Sequence, residues 1–555
     1  MSSLQRAAGL PRGLTRLLIA VSIAGALIFL IHLSRGEVEE GIWDASSYSD
    51  RRGNTPHNIG GIGAVKKRIS AITNPEPDHP PVPPVFTGQA PHPNPARKNY
   101  TLPRPTHKGF SRKAVLGAPD KYTTAPLPTI EEAWEWLHPR LREIKRKVPS
   151  IPREHALWNP LFNPSLTEEM KLRYTHLRMD WDEEKEEWVP ADRRYLLVTI
   201  CRQVAGMLAD WFAAWTVLAD YLGPESLVFS LQEGDSADGT GEILSAVMRD
   251  YLLFLGVPPE NIHIETNLPK IDWEAHHRIE LLADLRNTAM KPLYDTSPSG
   301  LTPDGKPWSA VVWYNDVYLS GTHFLELLHQ HFMQDADMSC GWDHAGRWFY
   351  DGWVGRDMSG DLYTPFPVKE EDKDLPQKLF INHPPTKQRF DRLLPFQVFS
   401  GWNGIAVMNP KPFFPPYNVR FRRGAKAPPT GDLTAADMEC QASESSFISW
   451  DFWKYGFGRV QVVPGIHACY GKEDAQMRGW VEFPNPDPED GFYEQIDWTD
   501  QYVSHLMAPG TVLIHPRPPA RVRCHDWPDK PGKGYWAWDT VRWVPPPAFE
   551  VPKGA

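Results

Sequence analysis

Between Tyr195 and Val317 the chain alternates between two hydrophobic periods, and this alternation narrows the possible folds more than any other feature. Tyr195–Cys201 (YLLVTIC) and Leu227–Leu231 (LVFSL) are short β-branched and aliphatic runs of strand length. Between them Val204, Met207, Leu208, Trp211, Trp215, Leu218 and Leu222 recur at spacings of three and four, the period of one helix face. Gly223-Pro224 ends that run. The pattern then repeats. Ile243, Leu244, Val247, Met248, Tyr251, Leu252 and Leu255 form a second helix face closed by Gly256. Ile262-His263-Ile264 is a third short strand, and a third helix ends in Leu285-Arg286-Asn287-Thr288. Strands separated by helices join through crossovers, so the expected result is an α/β fold: a mixed, mostly parallel sheet flanked by helices on both faces.

The next apolar run, Val311-Val312-Trp313-Tyr314, breaks abruptly into Asn315-Asp316-Val317. Its composition is that of a buried strand, so Asp316 stands at a C-terminal strand edge, where open α/β sheets bind their ligands. One carboxylate does not neutralise a nucleotide diphosphate, but it can hold a divalent cation that does. The plainer alternative is a strand closed by an Asn-Asp turn. A second acidic stretch, Glu233-Gly234-Asp235-Ser236-Ala237-Asp238-Gly239-Thr240, lies between a strand and a helix. Its small residues let backbone approach a ligand, and Asp235 or Asp238 can accept from base or ribose donors. The plainer alternative there is a helix cap.

Lys+Arg 59 against Asp+Glu 69 leaves a net charge of −10, which argues against a nucleic-acid partner. The five cysteines (Cys201, Cys340, Cys440, Cys469, Cys524) contain no Cys-x-x-Cys, which argues against a zinc ribbon or a thioredoxin-type site. In an oxidising lumen the four later ones allow up to two bridges, with the pairing left open. His323, His329 and His331 read as positions on a polar helix, because no acid stands with them in a metal-ligand spacing.

Residues 1–16 carry Arg6, Arg12 and Arg16 and no acid; residues 17–33 are apolar apart from Ser22 and His32; Glu37, Glu39 and Glu40 follow. The expectation is an uncleaved type II signal anchor with a cytosolic N-terminus, of a length suited to the thinner membranes of the early secretory pathway. A cleaved signal peptide fits less well, since no clear small-x-small site follows. Residues 34–127 are proline-rich and read as an extended luminal stem, with a glycosylation sequon at Asn99-Tyr100-Thr101. Residues 128–192 are a helical approach segment interrupted at Pro139, 193–490 the head, and 491–555 a Trp- and Pro-rich wrap over it.

Further motifs follow in order along the head. They are the Asp-Ser-x-Asp-Gly-Thr loop, Arg286-Asn287-Thr288-Ala289-Met290-Lys291-Pro292-Leu293, and the strand ending at Asp316. Then come Cys340-Gly341-Trp342-Asp343 and Phe349-Tyr350-Asp351-Gly352-Trp353-Val354-Gly355-Arg356-Asp357. Phe399-Ser400-Gly401-Trp402-Asn403-Gly404, Ser443-Glu444-Ser445 and Val463-Pro464-Gly465-Ile466-His467 complete the set. This ordered set resembles nucleotide-sugar glycosyltransferases of the GT-A fold. Within them it is most similar to the fungal capsule-associated, cryptococcal-type α-1,3-mannosyltransferase family, from about Tyr195 to Tyr470. The resemblance implies a GT-A-like, Rossmann-like sheet, GDP-mannose as donor and a divalent cation, Mn²⁺ with Mg²⁺ as the alternative. It also implies a mannose-containing glycan or polysaccharide acceptor, an α-1,3 linkage formed with retention, and a Golgi membrane location. The usual Asp-x-Asp of such enzymes is here Asn315-Asp316-Val317, with a single carboxylate.

On this likeness Asp316 and Glu444 are the candidate catalytic residues, Asp316 at the metal and diphosphate and Glu444 positioning the acceptor. His467 joins Asp316 on the cation. Asp235, Ser236 and Asp238 face the guanosine, with Asn287 and Asn315 also on the donor side. Arg286 meets phosphate or ribose, as a forked donor suits anionic oxygens. Asp343, Asp351, Arg356 and Asp357 hold sugar hydroxyls, with Trp342, Trp353 and Trp402 as stacking surfaces. The plainer alternatives are a helix salt bridge for Arg286, a helix N-terminal acid for Glu444, a buried ion-pair network at 351–357 and core packing for the tryptophans. No residue is marked as a nucleophile. The base pocket is not diagnostic, so a UDP-sugar-dependent transferase of the same fold is an alternative. The lone carboxylate at Asp316 keeps a catalytically silent, membrane-tethered glycan-binding or scaffold protein as a third.

Overall fold

The computed structural model describes residues 127–148, 160–162, 165–272, 276–346, 348–364, 378–425, 439–440, 442–483, 515–524 and 542–553. The expected cytoplasmic tail, anchor and sequon at Asn99 lie outside these residues, as does the stem up to residue 126. Among the described residues no helix is long and apolar enough to cross a membrane.

One sheet organises the head. Its strands are β1 (Tyr195–Cys201), β2 (Leu227–Glu233), β3 (Ile262–Glu265), β4 (Ala310–Tyr314), β5 (Met338–Ala345), β6 (Trp348–Phe349), β7 (Phe396–Gln397), β8 (Ile405–Met408) and β9 (Val460–Cys469). The order across the sheet is β3-β2-β1-β4-β8-β5-β9-β7, with β6 paired to β5. β1 runs parallel to both β2 and β4, β2 to β3, and β5 to β9. β8 is antiparallel to β4 and β5, and β7 to β9. The chain therefore builds outward from β1 through β2 to β3, then returns to place β4 on the other side of β1. The region beyond the carboxyl ends of strands at such a reversal, here β1 and β4, is where open α/β sheets take ligands. Asn315 and Asp316 follow directly on β4.

The helices are α1 (Ile130–Lys147), α2 (Leu208–Leu222), α3 (Arg278–Ala289), α4 (Gly321–Met333) and α5 (Glu444–Lys454), with shorter turns between. Every residue of α2 except Asp220 is buried, although its sequence shows one apolar face. Both α1 and α4 pack on it, which covers the face that the sequence leaves polar enough for solvent. The contact with α4 is tight: a Cβ at Gly321 would stand 2.5 Å from Val217. α4 itself is buried through most of its length, so His323, His329 and His331 sit in the core and not on a polar face.

Several local expectations are corrected. α1 runs through Pro139 without a break, opened by a reciprocal Thr129–Glu132 capping box. A mid-helix proline costs about 3 kcal/mol, and burial of Leu137, Leu141 and Ile144 in the common core, at roughly 1.5–3 kcal/mol each, outweighs it. The second helical stretch is Thr240–Ile243 and Arg249–Phe254 joined by a π turn, Leu244–Met248. The expected Pro464-Gly465 turn is instead the irregular middle of β9, whose register shifts between Val462 and His467. There Gly465 admits another segment: its carbonyl accepts from Glu482 N at 2.9 Å, and a Cβ would meet the Glu482 carbonyl at 1.8 Å. Cys440 and Cys524 form a disulfide, while Cys201, Cys340 and Cys469 are free and buried.

Candidate active site

The turn after β4 is pinned from two sides. Asn315 N donates to Gly404 O at 2.9 Å, and Tyr318 N donates to Cys469 O at 2.9 Å. Gly404 has φ +78°, and a Cβ there would lie 2.9 Å from the Ala468 Cβ and 3.3 Å from the Asp343 Cβ. Only glycine allows this approach of the β8 entry loop to β5 and β9. The Asp316 side chain is open to solvent yet ringed by protein, as at the floor of a cleft. Desolvation raises its carboxyl above the usual range, and the Arg286 charge acts in the opposite sense.

Beside it the fold gathers more acid. Asp343, at β5, is fully buried, and its Oδ1 accepts from Asp351 N at 3.2 Å. Asp351 Oδ2 accepts from Asn403 N at 3.1 Å. Burial, then the nearby Asp351 charge, pushes Asp343 well above the carboxylate range. Burial lifts Asp351 to about 7, with Glu444 adding in the same sense. Tyr470 OH donates to Asp343 Oδ2 at 3.4 Å, and Tyr350 packs against Tyr470 with ring centroids 4.4 Å apart. Tyr350 is 38% exposed, and burial and the negative charges of Asp343, Asp351 and Asp316 raise its phenol. A tyrosine pair thus lies close to all three carboxylates, with one ring open to solvent. The sequence reading missed both tyrosines as site residues. Their shared signal, an aromatic beside an acid-bearing segment, is common in ordinary cores.

On the other side stands a buried ion pair. Arg286 Nε donates to Glu444 Oε1 at 2.8 Å, with both side chains almost fully buried. Ser443 and Ser445 hydroxyls donate to the same carboxylate at 3.1 and 3.2 Å. The guanidinium lies over the Trp402 ring at 4.4 Å and the Trp313 ring at 4.9 Å. Its Nη1 is buried with no partner among the described residues. Glu444 therefore orients Arg286 and does not face an open acceptor site. Trp402, 2% exposed, is a wall of the Arg286 cage and not a solvent-facing sugar platform. Trp342 is core, stacked on Phe349 and Tyr363.

The remaining expected residues divide. Asp235 is exposed next to the crevice loops. Asp238 caps Thr240 N at 3.0 Å and accepts from Ala205 N at 3.0 Å, and Ser236 Oγ accepts from Gln203 N at 3.0 Å. Both side chains brace the loop after β1 against the loop after β2, a structural use of acceptors expected at guanosine. Asn287 exchanges two bonds with the Phe421 backbone, at 2.8 and 3.0 Å, and lies outside the acid cluster. Arg356 is buried and donates to the carbonyls of Arg523, Trp353 and Gly355. Asp357 is fully buried and holds the Ser359 turn. Trp353, partly buried, belongs to this same loop through its carbonyl. These three shape the 351–357 loop from within and do not line an open sugar site.

His467 goes elsewhere too. Its Nδ1 pairs with His344 Nε2 at 2.9 Å, and its Nε2 faces Glu482 Oε2 at 3.4 Å. Both ring nitrogens are thus directed at His344 and Glu482 and not at Asp316. Among the described residues no group of three or more His, Cys, Asp or Glu side chains is arranged to hold a metal ion.

Residues 194–451, which contain Arg286, Asp316, Asp343, Asp351 and Glu444, match the family described as Cryptococcal mannosyltransferase 1. The alpha-1,3-mannosyltransferase CMT1 of Cryptococcus neoformans var. neoformans is 38% identical over 400 residues, covering 69% of this chain and 77% of that protein. Among solved structures, S. aureus TarS aligns with a TM-score of 0.27 and 9% identity over 51% of this chain and 38% of TarS. The TarS 1–349 fragment in complex with UDP aligns with a TM-score of 0.26 and 11% identity, over 51% of this chain and 62% of the fragment. The chain thus spans less than two thirds of the length of these solved proteins.

Proposed function

The chain belongs to the cryptococcal mannosyltransferase family, and from that premise we propose that it transfers mannose from GDP-mannose to a mannose hydroxyl of a glycan or polysaccharide. The linkage proposed is α-1,3, formed with retention by a GT-A-like head on a type II Golgi anchor. The observation that carries this reading is the convergence of Asp316, Asp343 and Asp351 with the Arg286–Glu444 pair at the sheet's reversal point. All of these residues fall inside the stretch matched to the family.

A divalent cation, Mn²⁺ or Mg²⁺, fits this site in a restricted way. The described residues offer no ready-made cage, but such ions are commonly held by one or two carboxylates together with substrate phosphates. Asp316, open to solvent, would be the protein ligand, and the diphosphate would supply most of the rest. Bound there, the cation would offset negative charge on the departing nucleotide. Asp351, a half-buried residue, lies beside it, and the exposed Tyr350 ring offers a flat face to a sugar.

Calorimetry on the full-length chain in detergent tests the donor. With Mn²⁺ present, GDP should bind more tightly than UDP, and EDTA should weaken GDP binding. Equal or reversed nucleotide preference would move the reading to a UDP-sugar-dependent transferase.

A further inference from the structure

Asn315 stands beside the lone carboxylate of the Asn315-Asp316-Val317 segment, and its surroundings call for an amide. The Trp402 indole N–H, which can only donate, points at Asn315 Oδ1 at 3.0 Å. That fixes the amide's orientation, so Nδ2 faces Tyr470 and donates to its hydroxyl oxygen at 3.2 Å. The hydroxyl hydrogen is left for Asp343 Oδ2, at 3.4 Å. The bonds all run one way, from Trp402 through Asn315 and Tyr470 to Asp343. At one end the Trp402 ring carries Arg286 and, through it, Glu444. At the other end Asp343 holds Asp351 by its backbone N–H.

We propose that Asn315, Tyr470 and Asp343 are positioning residues: a directional hydrogen-bond relay that joins the two halves of the site and sets the Asp316-bearing turn between them. The proposal rests on the mannosyltransferase reading of the same site. An aspartate at position 315 would still accept from Trp402, but it would present an oxygen to the Tyr470 oxygen. Tyr470 has one hydrogen, so with acids at both 315 and 343 one of the two contacts could close only if a carboxyl supplied the proton. The relay therefore requires at residue 315 a group that accepts at one end and donates at the other.

The relay makes a reciprocal prediction. Exchanging the two ends, Asn315→Asp with Asp343→Asn, restores every bond with its direction reversed beyond Trp402. The new amide at position 343 would then donate to Tyr470, and Tyr470 to the new carboxylate at position 315. Three full-length variants are compared with wild type in detergent: N315D, D343N and the double exchange. Thermal midpoint, GDP affinity with Mn²⁺, and kcat and KM for transfer from GDP-mannose are measured for each. Each single change leaves a part-buried polar group of the relay unpaired and should lower kcat/KM about ten- to a hundredfold. The double exchange should recover to within about threefold of wild type, a non-additivity expected of groups in one network. In a Tyr470→Phe background the exchange should rescue nothing, which separates a relay from simple charge proximity. N315D at or above wild-type activity, or a double exchange no better than the product of the singles, would overturn the proposal. If wild type transfers no mannose, the functional reading fails. The same cycle in thermal midpoint and GDP affinity still decides the relay, rescue supporting it and additivity overturning it.

Discussion

In the proposed reaction Asp316 holds the cation, and its substitution separates catalysis from stability. The carboxyl is solvent-open and ringed by protein, so Asp316→Asn conserves volume and strips only charge. It should leave the thermal midpoint nearly unchanged and lower turnover by about a hundred- to a thousandfold, the range seen on removing one electrostatic contact to developing charge. A folded variant with near wild-type, chelator-sensitive transfer would place the cation elsewhere. His467→Ala should behave differently, because that ring pairs with His344 and faces Glu482. The Mn²⁺ concentration giving half-maximal rate should not move; a severalfold rise would restore His467 as a ligand. Asp357 tests burial as the leading influence on its carboxyl. Burial holds its carboxyl at about 7, against about 4 in an unfolded chain. The fold therefore favours the protonated acid, and this stability is fully present below about pH 4 and lost as pH rises to about 7. Asp357→Asn mimics the neutral acid and should raise the thermal midpoint at pH 8 with little change at pH 4.5. An equal effect at both values would show that the carboxyl ionises freely in the fold.

The Cys440–Cys524 bridge ties the segment before α5 to the Val522–Cys524 strand, across a separation of 84 residues. Ser443 and Glu444 begin α5 just beyond it, and Glu444 holds Arg286. Replacing both cysteines with serine should cost about 2–4 kcal/mol of stability and should also lower kcat/KM at a temperature where the fold persists. Loss of stability without loss of transfer would detach the bridge from the site. Much of this architecture was legible in the sequence. The strands at 195, 227, 262 and 311 announced themselves by composition, and the sheet's reversal brought Asp316, Arg286 and Glu444 together. What sequence could not carry was the partner of each side chain. Asp238, Ser236 and Asn287 are acceptors of the right kind, but neighbouring backbone N–H groups claim them. Trp402 looked like a sugar platform until Trp313, Phe421 and Arg286 enclosed it. The β9 bulge depends on Glu482 arriving from outside the motif, so no local pattern marks it.

The head is one continuous build rather than a sheet with an approach segment hung on it, since α1 buries Ala133, Leu137 and Leu141 in the same cluster as β1 and β4. Trimming the chain to begin at residue 193 should therefore expose that core and yield insoluble protein, whereas a start near residue 127 keeps α1. A soluble, cooperatively melting fragment from residue 193 would contradict the packing. The anchor expected at residues 17–33 is a separate matter of topology. In sealed microsomes, added protease should spare the head until detergent is present; digestion without detergent would reverse the orientation. The central claim concerns the reaction itself. The full-length chain in detergent is given a mannose-terminated acceptor with labelled GDP-mannose or each of several UDP-sugars, with Mn²⁺ or with EDTA, and the labelled product is isolated and its linkage determined. The account predicts α-1,3-linked mannose from GDP-mannose alone, abolished by EDTA and restored by Mn²⁺; transfer from a UDP-sugar instead, or from no donor at all, would contradict it.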